Sequence, residues 1–178
     1  MIFKSSVFIL PGLGNSEEQH WQSLWERQFH FKRIQQKEWD TPVCDDWIKT
    51  IDEIICQYQL DKVILVGHSL ACATVAYWAT KYNRKIKGAL LVGPSDTEAA
   101  TYPPGTTGFA PVPLQPLPFR SIVVASTDDY YVTIDRAKLF AEKWGSQFTN
   151  IGPAGHINVE AGFGKWDQGI EFLRQLDK

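Results

Sequence analysis

The sequence predicts a three-layer α/β/α domain, because short apolar runs alternate with amphipathic segments along the chain. The apolar runs are hydrophobic at consecutive positions, which is typical of central parallel strands that helices cover on both faces. The segments between the runs repeat apolar residues every three to four positions, the period of a helix. With 178 residues, 44% of them hydrophobic, the chain is long enough for one core, so we expect a single domain over residues 1–178.

Four apolar runs predict the strands at the centre of the sheet, and each run is followed by Gly, Pro, Ser or Thr. They are residues 7–10, 63–66, 89–92 and 122–125. Weaker patterns near residues 33–37 and 147–151 add two further strands. We therefore expect a mostly parallel sheet of about six strands.

Amphipathic stripes predict helices that pack on this sheet. The first lies over residues 43–55 and contains the acidic pair Asp45 and Asp46, which favours a helix start. Further stripes lie over residues 134–144 and 166–176. Three tryptophans on these stripes are expected in the core rather than at a ligand: Trp47, Trp144 and Trp166.

The composition argues against several classes of partner. The 18 Lys and Arg residues are balanced by 20 Asp and Glu residues, so the chain has no excess of positive charge to attract phosphates. Nucleic acid is therefore not an expected partner. Residues 1–10 contain one Lys and an apolar run too short for a signal peptide or a membrane span, so we expect a cytoplasmic protein without a membrane partner. The three cysteines match no zinc pattern, so we expect reduced thiols and no metal.

The segment Gly67-His68-Ser69-Leu70-Ala71 lies between a predicted strand and an Ala-rich segment typical of a helix packed on a sheet. A nucleophilic serine on a sharp strand-to-helix turn needs small residues two positions before and after it, where the two backbones nearly touch. Gly67 and Ala71 meet this requirement. The pattern predicts a nucleophile elbow with Ser69 as nucleophile, which is typical of a compact α/β-hydrolase fold. The alternative is a serine that only caps the helix.

A nucleophilic serine needs a base, and the base needs an acid to orient it. Among the four histidines, His156 alone follows both Ser69 and a strand-end carboxylate, as the chain order of this fold requires. It lies in a Gly-rich turn after the last predicted strand, from which an imidazole can reach over the sheet. His68 is expected to pack or hydrogen bond beside the site.

Two neighbouring carboxylates can supply the acid. Asp128 and Asp129 both follow the strand at residues 122–125, at the carboxyl edge of the sheet, where sites of open α/β folds assemble. We select Asp129, because the order Asp-x-x-Val resembles the segment after the penultimate strand of many α/β-hydrolases. Asp128 would then turn outward or hydrogen bond within its turn. Asp96, after an earlier strand, is a further alternative that we expect to be a simple turn residue.

Backbone N–H groups are expected to form the oxyanion hole, with one donor at Leu70, the residue after the nucleophile. The second donor lies in the Gly-rich loop after the first strand, where glycines let the backbone approach a substrate oxygen. We assign it to Leu13, with Gly14 as the neighbouring alternative. The loop lacks the spacing of a phosphate-binding loop, so no nucleotide is expected.

Several segments along nearly the whole chain resemble the small serine hydrolases related to retinoblastoma-binding protein nine, most closely their bacterial branch. The segments are Leu10-Pro-Gly-Leu-Gly-Asn-Ser with His20-Trp21 and Trp25, Val66-Gly-His-Ser-Leu-Ala71, Gly108-Phe-Ala-Pro, Leu117-Pro-Phe, Ala125-Ser-Thr-Asp-Asp and Gly155-His-Ile-Asn158 with Glu160. The resemblance implies an α/β-hydrolase fold, no cofactor and a triad of Ser69, Asp129 and His156. Retinoblastoma-protein binding is not predicted, because the nearest match to its Leu-x-Cys-x-Glu motif lacks the Glu.

Seven of the ten prolines fall between the strands at residues 89–92 and 122–125, which predicts a long irregular loop. Larger α/β-hydrolases commonly insert a helical cap at this point, so we expect a loop in place of a cap. Residues 102–113 are expected to line or border the entrance to the site, together with Trp21. The alternative is a plain surface excursion.

These patterns predict acyl transfer to water, in which Ser69, activated by His156, attacks an ester, thioester or activated amide carbonyl. The expected partner is a small acyl substrate. One alternative is a catalytically silent protein that keeps the fold and binds a partner. Another is transfer of the acyl group to an acceptor other than water.

Overall fold

The apolar runs form a parallel sheet of six strands in the computed structural model, which describes residues 3–178. The strands are β1 (Ser6–Leu10), β2 (Lys32–Arg33), β3 (Val63–His68), β4 (Gly88–Val92), β5 (Ser121–Ala125) and β6 (Gln147–Asn150). Their order across the sheet is β2-β1-β3-β4-β5-β6, and every neighbouring pair is parallel. The expected sheet of about six strands is confirmed.

Helices cover both faces of this sheet, as the runs of consecutive apolar residues require. They are α1 (Trp21–Phe29), α2 (Cys44–Ile55), α3 (Leu70–Tyr82), α4 (Ile134–Trp144) and α5 (Asp167–Asp177). Phe8 and Leu10 of β1 pack in one core cluster with α2, α3 and α4, whereas Val7 and Ile9 pack in a second cluster with α1 and α5. The three-layer α/β/α arrangement is therefore confirmed.

The helix α1 is not visible as an apolar stripe in the sequence, because two of its four buried residues are polar. Gln22 and Ser23 are buried beside Trp21 and Trp25. The Gln22 side-chain amide donates to the carbonyl oxygens of Leu10 and Val66, at 3.1 Å each, and so ties the helix to the ends of β1 and β3. A buried polar group with its hydrogen bonds made is compatible with a core position.

Two expected boundaries differ from the structure. The strand expected at residues 33–37 spans only Lys32–Arg33. The residues after Ile34 are polar, so their side chains gain no apolar burial by extending this edge strand. Val43, expected on the stripe of α2, is its N-cap residue and is 41% exposed. The tryptophans expected in the core, Trp47, Trp144 and Trp166, are all buried.

The connection between β4 and β5 runs through turns and bends, with one bridge between Thr107 and Val43 of the loop before α2. It is packed against the domain: Phe109 is buried with its ring centroid 5.7 Å from that of Trp47. The Tyr77 hydroxyl of α3 donates to the carbonyl oxygen of Pro111 at 2.6 Å. Residues 107–111 of this loop thus pack over α2 and α3.

Cys44 and Cys72 are buried free thiols, and Cys56 is an exposed free thiol. Within residues 3–178, no helix combines the length and the apolar character needed to cross a membrane.

Candidate active site

Ser69 occupies the sharp turn between β3 and α3. Its φ of 59° and ψ of −126° lie in a region that residues other than glycine rarely adopt. The Ser69 N–H donates to the carbonyl oxygen of Val92 at 3.0 Å, which holds the turn against the end of β4. Strain of this kind is maintained by the surrounding structure and is typical of a nucleophile elbow.

Two glycines allow the backbones around Ser69 to approach closely. A Cβ on Gly67 would lie 3.3 Å from the carbonyl carbon of Ala71, where strand and helix pass each other. A Cβ on Gly12 would lie 2.7 Å from Cβ of Ser69 and 3.1 Å from the Leu70 nitrogen. The loop after β1 therefore packs directly on the elbow.

The two backbone groups expected in the oxyanion hole lie at this contact. No hydrogen bond from the N–H of Leu13 or Leu70 is found within residues 3–178, and Leu13 lines the adjacent cleft. The alternative donor is engaged elsewhere, because the Gly14 N–H donates to the carbonyl oxygen of Trp39 at 2.9 Å. Leu13 is thus better placed than Gly14 to donate to a ligand.

His156 and Asp129 form a buried pair at the carboxyl edge of the sheet. His156 Nδ1 lies 2.9 Å from both carboxylate oxygens of Asp129. The Asp129 side chain is fully buried, and the Tyr131 N–H donates to its Oδ1 at 2.9 Å. Gly93 provides the space, because a Cβ there would lie 3.3 Å from Asp129 Oδ2 and 3.5 Å from the imidazole.

Asp128 lies away from the imidazole and has a different structural role from Asp129. Its Oδ1 accepts hydrogen bonds from Ser126 Oγ at 2.7 Å and from the N–H groups of Ala154 and Gly155 at 2.8 Å each. The hydrogen bond from Ser126, followed by that from Gly155, lowers the pKa of this carboxyl. Asp128 thus hydrogen bonds to its own turn and to the turn that precedes His156. Asp129 is the carboxylate that contacts the imidazole.

Asp96, the third carboxylate considered, does not reach His156. It accepts a hydrogen bond from the Glu98 N–H at 3.2 Å within its own turn, and it pairs with Arg136 of α4. Its position fits the turn role expected from the sequence.

Ser95 lies next to Ser69, a relationship that the sequence patterns did not single out. The two Oγ atoms are 2.8 Å apart, and Ser95 is 1% exposed. Within residues 3–178, Ser69 Oγ makes no hydrogen bond to His156. The signal in the sequence is slight: Ser95 follows Gly93-Pro94 at the end of the strand beside the elbow strand.

Three imidazoles lie side by side at the base of the site. The ring centroids of His20 and His68 are 4.8 Å apart, and those of His68 and His156 are also 4.8 Å apart. His68 Nε2 donates to the carbonyl oxygen of His156 at 2.9 Å, which fixes the turn that carries the latter. Burial, followed by the charge of His156, lowers the pKa of His20 to about 3 and that of His68 well below its ordinary value.

A cleft of about 330 Å³ opens over Ser69 and His156. Tyr102 and Pro103 line it, so the expectation for residues 102–113 holds for the start of that segment only. The expectation for Trp21 is wrong: it is fully buried in α1, and its Nε1 donates to the carbonyl oxygen of Ile157 at 2.8 Å. An amphipathic indole with its N–H satisfied packs well in a core.

The described residues 3–178 contain no group of three or more His, Cys, Asp or Glu side chains arranged to hold a metal ion. The polar groups that face the cleft are instead hydroxyl, imidazole, amide and carboxylate groups on the loops at the carboxyl edge of the sheet.

Comparisons with known proteins agree with this architecture. A search of curated protein sequences found no match. A protein of Pectobacterium atrosepticum, described as a YdeN-like hydrolase, has a similar structure with 32% identity and a TM-score of 0.84, over 97% of this chain and 90% of that one. The ydeN gene product of B. subtilis shares the fold with 18% identity and a TM-score of 0.84, over 97% of this chain and 98% of that one.

More distant structures share the fold as well. A monoacylglycerol lipase of Paleococcus ferrophilus has 15% identity and a TM-score of 0.71, over 99% of this chain and 96% of that one. The fold expected from the elbow, that of the α/β-hydrolases, is confirmed. The model of one family, described as serine hydrolase, matches residues 7–175. Since that match covers nearly the whole chain, this protein belongs to the serine hydrolase family.

Proposed function

We propose that the protein cleaves carboxylic esters, or related thioesters and activated amides, through an acyl-enzyme on Ser69. The observation that carries the proposal is the buried Asp129–His156 pair, which lines the same cleft as a strained elbow serine. A carboxylate on Nδ1 keeps a proton on that nitrogen, which leaves Nε2 free to accept a proton.

In the first half of the reaction, Ser69 Oγ forms a bond to the substrate carbonyl carbon while its proton passes to His156 Nε2. The electron pair of the carbonyl bond moves to the oxygen, which accepts hydrogen bonds from the Leu13 and Leu70 N–H groups. When the carbonyl reforms, the alcohol leaves with the proton from His156. The acyl group remains on Ser69.

In the second half, water loses a proton to His156 and attacks the acyl carbon. Collapse of this intermediate releases the acid and returns a proton to Ser69 Oγ. Asp129 stabilises the imidazolium in both halves and does not itself take the proton. Within residues 3–178, Ser69 Oγ makes no hydrogen bond to His156, and a catalytic hydrogen bond of this kind commonly tightens only when substrate binds.

The cleft supports small substrates. Its volume of about 330 Å³ lies at the lower end of the range of roughly 300–1,000 Å³ for small-molecule sites. Tyr102 and Tyr131 give its wall apolar surface beside the polar groups of Asn15 and Asn158. We expect esters with short acyl chains to be turned over faster than those with long chains.

Covalent labelling by a fluorophosphonate probe, together with hydrolysis of p-nitrophenyl acetate, butyrate and octanoate, tests the proposal. Wild-type protein should be labelled and active, and Ser69→Ala and His156→Ala should abolish both. Ser6→Ala, at a serine of β1 outside the cleft, is the matched control and should behave as wild type. A folded wild type that is neither labelled nor active would instead favour the silent binding protein.

A further inference from the structure

Ser95 occupies a position that the reaction outlined above does not use. It follows the Gly93-Pro94 turn at the carboxyl end of β4, the strand that pairs with the elbow strand β3. In this register Val92 lies opposite His68, so the residues after the two strands meet over the edge of the sheet. Ser95 Oγ lies 2.8 Å from Ser69 Oγ as a result.

The number of available partners decides the direction of this hydrogen bond. Ser95 is 1% exposed, and within residues 3–178 the only partner of its hydroxyl is Ser69 Oγ. A buried hydroxyl that leaves its proton unpaired costs free energy, so Ser95 is best satisfied as the donor. Ser69 Oγ then accepts, and its own proton stays available for the imidazole that shares its cleft, that of His156.

We propose, on the basis of the function proposed above, that Ser95 is an additional catalytic residue that donates a hydrogen bond to the nucleophile oxygen. When Ser69 loses its proton to His156, negative charge grows on Oγ, and a hydrogen bond to a charged oxygen is stronger than one to a neutral hydroxyl. The Ser95 proton stays on Ser95 throughout. The same hydrogen bond stabilises Oγ when it leaves the acyl carbon in the second half of the reaction.

Burial excludes a competing role for Ser95 as the nucleophile. With 1% of its surface exposed and no place in the wall of the cleft, its hydroxyl cannot reach a substrate carbonyl, whereas Ser69 lines the cleft. The two serines therefore have separate roles. Ser69 forms the covalent bond, and Ser95 stabilises the negative charge on the attacking oxygen by a hydrogen bond.

The test compares Ser95→Ala with wild type in the rate constant of fluorophosphonate labelling and in kcat and KM for p-nitrophenyl acetate. Loss of a hydrogen bond to a charged oxygen should lower the labelling rate and kcat by about tenfold to a hundredfold. KM should stay within about twofold, because the bond strengthens only as charge develops. The pH at which activity falls on the acid side should not move, because the Ser95 hydroxyl keeps its proton throughout and carries no charge.

Ser121→Ala is the matched control. Ser121 is also buried, and its Oγ lies 2.6 Å from Ser146 Oγ, so the variant removes the same kind of hydroxyl pair at a distance from the cleft. It should keep wild-type labelling and turnover. If Ser95→Ala does not fold, Ser95→Cys carries the test, because a thiol has nearly the same shape but is a weak donor.

The outcomes separate the two proposals. Wild-type protein that is not labelled at Ser69 contradicts the proposed function itself. Labelled wild type with an equally fast Ser95→Ala or Ser95→Cys overturns only the role of Ser95. A variant faster than wild type also overturns it, because Ser95 would then restrain the nucleophile, and a shifted acid limb would mean that Ser95 only positions His156.

Discussion

A methyl group on Gly12 would lie 2.7 Å from Cβ of Ser69, closer than two carbon atoms can approach without movement. The same methyl would lie 2.9 Å from the carbonyl oxygen of His68. The loop after β1 and the nucleophile elbow are thus fitted to each other at the backbone level. The position of Ser69 and the position of the Leu13 N–H depend on the same contact.

Gly12→Ala should therefore separate the loop from the elbow and displace the proposed oxyanion hole. We expect fluorophosphonate labelling to slow by about a hundredfold, the effect of losing one oxyanion donor. Overpacking should also cost about 1–3 kcal/mol in the free energy of unfolding, measured with urea.

Gly145→Ala separates these two effects. Gly145 has a φ of 69° at the end of α4 and open space around its Cβ position, so Ala there should destabilise the fold by about 1 kcal/mol without touching the site. Labelling should stay at the wild-type rate. Equal labelling of Gly12→Ala and wild type would contradict the proposed oxyanion hole.

Replacing each of the two neighbouring aspartates with asparagine should have very different effects on turnover. Asp129→Asn places an amide against His156 Nδ1, which favours the tautomer with its proton on Nε2, and kcat should fall by roughly a thousandfold to ten thousandfold. Asp128→Asn keeps an acceptor oxygen for the Ala154 and Gly155 N–H groups, so we expect kcat within about fivefold of wild type. Turnover of p-nitrophenyl acetate measures both. A larger loss in Asp128→Asn would reverse the assignment of the acid.

The sheet could be predicted because β3, β4 and β5 are buried on both faces and read as uninterrupted apolar runs. His156 could be selected by chain order, because a parallel sheet brings the ends of distant strands to one edge. The contact between Ser95 and Ser69 could not be predicted, since it depends on how the Gly93-Pro94 turn bends over the sheet. Helix α1 could not be predicted from an apolar stripe, because its buried Gln22 is polar and its hydrogen-bond acceptors come together only in the folded structure.

The carboxylate of Asp52 joins α2 to α3 and the turn that follows it. It accepts hydrogen bonds from Arg84 Nε at 2.6 Å and from Trp78 Nε1 at 3.1 Å, and Asp52 is 8% exposed. Arg84 lowers the pKa of this carboxyl. Asp52→Ala should lower the free energy of unfolding by about 3 kcal/mol, because it leaves a buried indole N–H without a partner and a partly buried guanidinium without its counter-ion.

Asp45→Ala is the control for that loss. It breaks the ion pair with Lys81, 2.9 Å long, between the same two helices, but both side chains are at least half exposed. Exposed pairs contribute about 0–1 kcal/mol, so urea unfolding should change little. Equal losses in the two variants would mean that the Asp52 cluster contributes no more than a surface pair.

His20 should make the protein sensitive to acid. Burial lowers its pKa in the folded state to about 3, from an ordinary value of 6.5. Between these two pH values the unfolded chain binds a proton that the folded chain does not, so stability falls as the pH falls through this window. The slope approaches about 1.4 kcal/mol per pH unit for one such group. His68, whose pKa is also lowered by burial, adds to the slope in the same direction.

His20→Asn tests this prediction, because an amide oxygen can still accept the Gln22 N–H at the start of α1, as His20 Nδ1 does at 3.2 Å. Urea unfolding at pH 7, 6, 5 and 4 should give a shallower loss of stability in the variant than in wild type, whatever its stability at pH 7. His30→Asn, at an exposed residue after α1, should leave the slope unchanged. If the free energy of unfolding changed with pH in the same way in His20→Asn and in wild type, His20 would bind its proton equally well in the folded and unfolded chains. Its burial beside Trp21 and His68 would then not keep the imidazole neutral.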